Sequence, residues 1–174
     1  MSNDRSQTEL WDRCQSTVEQ LDLPDPFDAE VFIGVLARER GRPIGLLPTT
    51  ARPDAPCGLV ITTRNADWIV YCSDTNGLHR QHILLHEAAH ILCGHTERGD
   101  DDMMAAAARR LMPHLPAELV RSVLGRTVYS EPDEREAELV ASLILQRVAR
   151  RDRHRSRPTD RASTLDALFA VFEG

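Results

Sequence analysis

The stretch that most constrains this chain is LLHEAAHILCGH, residues 84–95. Between Leu84 and Cys93 its only polar members are His86, Glu87 and His90. Wound as a helix, Ile83, Leu84, Leu85, Ala88, Ala89, Ile91 and Leu92 cover nearly all the remaining circumference, which predicts a helix buried on most of its sides. Polar side chains in such a helix cost on the order of a few kcal/mol each unless something satisfies them.

Residues four apart on an α-helix lie about 40° apart around the axis and one turn along. His86 and His90 therefore face the same way and can grip one ion. Glu87 lies about 60° from His90, near enough to share a cleft without entering the ligand set. This is the H-E-x-x-H arrangement: two imidazole ligands for Zn²⁺ and a glutamate that takes a proton from water. The plainer alternative is a pair of core histidines bonded to backbone carbonyls, with Glu87 in a salt bridge.

A catalytic zinc site wants a third protein ligand and one open position. The extended pattern H-E-x-x-H-x-x-G-x-x-H would need Gly at 93 and His at 96, where this chain has Cys93 and Thr96. His95 is accordingly read as a helix-end residue; Cys93, three residues past His90, could reach a metal but is read as a small apolar filler. The better source is EPDEREAELVASL, where Glu134 and Glu138 share a helix face beside an apolar side and Glu136 points elsewhere. Glu134 is the expected third ligand. Glu138 is expected to hydrogen-bond a ligand histidine and fix its tautomer. The competing reading is a solvated acidic stripe beside Arg135. His79 and His82 continue the His86 face, where they either line the cleft or, as the plainer reading, stand exposed in the first turn.

The rest of the chain sets bounds. A length of 174 residues fits one ordinary domain, and 41% apolar with 28% charged residues is a soluble globular composition. No apolar run reaches the length of a membrane span, and the first residues lack the layout of a secretory signal, so the expected compartment is the cytoplasm. Cys14, Cys57, Cys72 and Cys93 form no C-x-x-C pair, which disfavours a zinc ribbon or a disulfide framework and leaves mostly buried thiols. A net charge of -6 argues against direct nucleic-acid binding. The arginine-rich run RVARRDRHRSR, 147–157, reads as a solvated helix end entering a linker.

Periodicity predicts an amphipathic helix over 6–22, with Leu10, Trp11, Cys14, Val18 and Leu21 on its apolar face. A second helix is expected from DPFDAEVFIGVLARERG, capped by Asp25, with Pro26 in the first turn and Gly41 as the stop. PIGLLP, GLVITT and DWIVYC read as three strands, the last two antiparallel across the turn TTRNAD. The motif helix is expected over 78–94, ending at Gly94. Helices in GDDDMMAAAARRLM and AELVRSVLG, a long one capped at Ser130, and a short amphipathic one in STLDALFAVF complete the order. The fold class is α+β: a mostly helical single domain with a small antiparallel or mixed sheet beside the H-E-x-x-H helix. Residues 1–150 form the domain, with a core of about 30–146, and 151–174 form an arginine-rich linker and the C-terminal helix.

His86, Glu87, Ala88, Ala89, His90, Ile91, Leu92, Gly94 and His95 resemble the H-E-x-G-H-x-L-x-G-H pattern of the ImmA/IrrE metallopeptidases of bacteria and phages. Glu134 to Ser142 resemble that family's E-x-E-A-N-x-F-A helix. The departures are Ala89 in place of the usual Gly and Glu138 in place of the usual Asn or Asp. The resemblance implies a zincin-like fold and a zinc-dependent endopeptidase that cuts a protein partner, such as a helix-turn-helix DNA-binding repressor, in transcription regulation. Glu87 would be its general base, and Tyr129 or His114 a donor to the oxyanion. The alternative is a zinc-stabilised, non-catalytic regulatory or toxin-antitoxin-like binding module.

Overall fold

A computed structural model describes residues 2–53, 56–63, 65–97 and 129–155. Among these, four helices and three strands run in the order α1 (Ser2–Glu19), α2 (Ala29–Arg40), β1 (Ile44–Thr49), β2 (Gly58–Thr62), β3 (Asp67–Cys72), α3 (Gly77–Leu92) and α4 (Glu131–Arg155). A 3-10 turn, His95–Glu97, follows α3. The class is α+β. The helices expected within 99–125 and after 160, and His114 with them, lie outside the described residues.

Helix α1 turns Cys14 and Val18 into the core, and Leu21 just beyond it is buried too. Trp11 departs from the expected apolar face: it is exposed, and its indole N–H donates to Gln15 Oε1 at 3.0 Å. The start of α2 also differs from expectation. Asp28, not Asp25, is the cap, its Oδ1 accepting from the backbone N–H of Glu30 at 2.9 Å and Val31 at 3.0 Å. Two donors of the first turn are thus satisfied by one carboxylate, and Pro26 stays outside the helix. Gly41 stops α2 with φ of 61°, a left-handed conformation that suits glycine.

The sheet order is β1-β3-β2. Strands β2 and β3 pair antiparallel, Thr62 opposite Asp67, through a turn closed by Thr63 N–H donating to Ala66 O at 2.9 Å. Strand β1 joins the other side of β3 in parallel, Ile44 opposite Asp67, so the sheet is mixed. Ile69 and Val70 on the central strand and Val60 on β2 are fully buried. Asp67 is buried at its start and is clamped by Arg40 Nη1 at 2.9 Å and Arg42 Nε at 3.1 Å. A buried carboxylate is costly unless paired, and this one fixes α2 and β1 to β3.

Helix α3 packs on β2 and β3 and is touched by α2. Asn76 caps it, accepting from His79 N–H at 2.9 Å. At its far end Gly94, with φ of 71°, turns the chain into the 3-10 turn. Helix α4 begins with a reciprocal cap: Asp133 N–H donates to Ser130 Oγ at 3.4 Å and Ser130 N–H to Asp133 Oδ2 at 3.2 Å. Ala137, Val140, Ala141, Leu143 and Ile144 make its buried side. The chain divides into compact units at Ile144/Leu145, and α4 itself continues to Arg155 because no glycine or proline interrupts 145–155. No helix of the described residues is long and apolar enough to cross a membrane.

Candidate metal centre

Buried Ile83, Leu84, Leu85, Ala88 and Ile91 anchor α3 in the core and leave His86 and His90 on the side that meets α4, with the Glu87 carboxylate beside Gly58 of β2. His86 Nε2 lies 3.1 Å from Glu134 Oε2, and His90 Nε2 lies 3.2 Å from His86 Nε2 and 3.8 Å from the same carboxylate oxygen. The three residues offer donor atoms all within 4.8 Å of one another, close enough to hold one metal ion. The reciprocal cap at Ser130 places Glu134 one turn into α4, where this meeting occurs.

The second nitrogens of the two imidazoles are also engaged. His86 Nδ1 lies 3.3 Å from Glu138 Oε2, which also accepts from His82 Nε2 at 3.1 Å. His90 Nδ1 lies 3.0 Å from His95 Nδ1. Each ring is therefore held at its back while its Nε2 faces the common point, the usual way a protein orients a ligand histidine. Burial, with His86 and His95 alongside, pushes the His90 imidazole down to about 2. The ring is neutral at physiological pH, the form that binds metal.

Glu87 is almost fully buried, and its Oε2 has no hydrogen-bond partner among the described residues. Burial first, then the nearby Glu134 carboxylate, push its carboxyl up to about 8. An unsatisfied buried carboxylate oxygen is expensive unless a proton or a proton donor reaches it. This orphaned oxygen, together with two imidazoles and a carboxylate, fits a divalent cation that carries a water molecule. The cleft in front has a volume of about 420 Å³ and is lined by His86, Glu87, His90 and Glu134 from the helices and by Cys57 and Gly58 from the sheet side.

Tyr129 stacks flat on His90, ring centroids 3.4 Å apart and planes 10° from parallel, with its hydroxyl buried at the cleft. Of the two candidate cleft histidines at the start of α3, His79 is exposed and His82 lines the cleft.

Three features escaped the sequence reading. His95 is not a helix-end residue; it is 1% exposed and stands behind His90, with Nε2 3.2 Å from Glu136 Oε2. The turn at Gly94 carries it there, and only a resolved chain direction could have shown it. Glu136 does point away from Glu134 and Glu138, but toward His95 and Arg13. Burial opposes its charge, yet hydrogen bonds from Arg13 and His95 hold the carboxyl below the ordinary range. Gly58 is the third: a Cβ there would run into Glu87 Oε1 and Ile83 Cγ2, so only glycine lets β2 approach α3 this closely. Cys93 is part-buried, and burial followed by Glu136 pushes its thiol up to about 12, far from a ready thiolate. No protein-family model, no curated protein and no solved structure matches the chain.

Proposed function

We propose that the chain is a zinc-dependent endopeptidase of zincin-like fold, with His86, His90 and Glu134 as metal ligands and Glu87 as general base. The observation that carries this reading is the buried, unpartnered Glu87 Oε2 beside three converging donors. A purely structural zinc site prefers four protein ligands and has no use for a buried base. Zinc, when bound, supplies a Lewis acid for the scissile carbonyl and acidifies a water molecule. Glu87 accepts the proton of the attacking water at Oε2 and returns it to the leaving amine nitrogen. With the Glu134 charge engaged as a ligand, one cause of the raised Glu87 pKa falls away, and the group becomes a working base near neutral pH. Glu138 and His95 hold the two imidazoles in the required orientation.

The substrate class follows from two supports. Strand β2 is an outer strand of the described sheet, and the residues leading into it line the cleft, so an extended peptide can add to its edge. The resemblance to the ImmA/IrrE metallopeptidases supplies the partner: a protein such as a DNA-binding repressor. In the test, sub-stoichiometric protein is incubated with a repressor encoded beside it, and fragments are read by mass spectrometry. Wild type should give one defined cut, abolished by a chelator and reduced about 10²-fold or more in Glu87→Gln, which keeps zinc. A tight complex with no fragment would leave a zinc-stabilised binding module.

A further inference from the structure

Behind the metal-facing atoms the hydrogen bonds continue. His90 Nδ1 is 3.0 Å from His95 Nδ1, His95 Nε2 is 3.2 Å from Glu136 Oε2, and Glu136 Oε1 accepts from Arg13 Nε at 2.9 Å. Asp133 Oδ1 adds a second carboxylate 3.5 Å from His95 Nε2. The same neighbourhood offers another group with metal-ligand geometry, Cys93, His95 and Glu136. Two adjacent metal sites and one site with a supporting chain are thus the alternatives, and the proton count between the rings decides.

With one N–H and one lone pair on each ring, a single hydrogen bridges the two Nδ1 atoms. If His90 donates it, the His90 Nε2 lone pair faces His86 and Glu134. His95 then carries its hydrogen on Nε2, where two carboxylates accept it. If His95 donates instead, its Nε2 lone pair confronts those carboxylates with no hydrogen between them, and a His90 Nε2–H blocks the first centre. The first arrangement satisfies both His95 nitrogens and leaves the His90 Nε2 lone pair for a cation, and the second leaves acceptor facing acceptor at His95. The Arg13 guanidinium already supplies the cation that Glu136 requires, on the side opposite His95.

We infer that His95, held by Glu136 and Arg13, is a positioning residue that fixes the tautomer of His90, and that Cys93, His95 and Glu136 are this relay rather than a second metal site. The inference rests on His90 being a ligand of the proposed centre.

The tautomer can be read without metal, from long-range ¹H–¹⁵N couplings of the histidine rings in the full chain. Wild type should show His90 protonated at Nδ1 and His95 at Nε2. His95→Phe removes the acceptor while keeping a flat ring, so the His90 preference should vanish and zinc affinity should fall about 10–100-fold. His95→Asn places an amide oxygen where Nδ1 stood and should restore the tautomer and most of the affinity. Wild type should titrate with one zinc per chain, and Cys93→Ala should leave that number unchanged.

A His90 Nε2–H tautomer in the wild type would overturn the relay. So would a second zinc that disappears in Cys93→Ala, and both of these need no variant of His95. Equal zinc affinity in wild type and a folded His95→Phe would overturn it as well. Undiminished zinc in His86→Ala and Glu134→Ala would remove the centre itself, a separate result from the metal-free tautomer.

Discussion

Glu87 sets the acid-base behaviour of the metal-free protein. Its carboxyl ionises near 4.5 in an unfolded chain and near 8 in the fold, burial being the larger cause and Glu134 the smaller. Between those values the folded state holds a proton that the unfolded state has released. The contribution of Glu87 is therefore most favourable below pH 4.5 and is lost as pH rises toward 8, by roughly 1 kcal/mol per pH unit. Glu87→Gln removes that slope. Denaturant melts in chelator at pH 5 and pH 8 should find the variant gaining on wild type as pH rises, and a variant that loses ground at pH 8 would show an ionised Glu87 to be favourable in the fold. The pair His86 and His90 was legible because helical spacing alone aligns them, and Glu134 with Glu138 for the same reason. His95 and Glu136 were not, because their meeting depends on a reversal at Gly94 and joins two residues 41 positions apart in the chain.

Elements meet here through small residues at chosen places. Strand β2 reaches α3 at Gly58, whereas Gly34 lies exposed in α2 with open space where a Cβ would be. Gly58→Ala should cost about 1–3 kcal/mol through overpacking against Ile83 and Glu87. Gly34→Ala should stabilise by about 0.5–1 kcal/mol through helix propensity. A urea series on the two variants checks both signs, and equal effects would mean that β2 can retreat from α3 without loss. Strand β3 was read from sequence with its observed bounds because DWIVYC combines β-branched and aromatic residues between turn signals. The parallel pairing of β1 with β3 was not, since nothing local to either segment records which edge a third strand will join. The α2 start was misplaced by three residues because Asp25 and Asp28 are both competent caps, and tertiary packing chooses between them.

For the whole molecule, the proposed centre ties together parts of the chain that sequence holds far apart. Metal that binds only the folded state should stabilise it by about 2.7 kcal/mol at a hundred times its dissociation constant. Thermal melts with zinc and with chelator should therefore separate clearly for wild type and coincide for His86→Ala; a zinc shift retained in that variant would place the ion elsewhere. The two ligands on α3 precede the third, on α4, by 48 residues counted from His86. A ribosome makes α3 long before it makes Glu134, so the growing chain carries two thirds of a ligand set and no working one. On the proposed reading, translation itself acts as a safety catch: a chain truncated anywhere before residue 134 is inert toward its partner, and the activity appears only with the synthesis of α4.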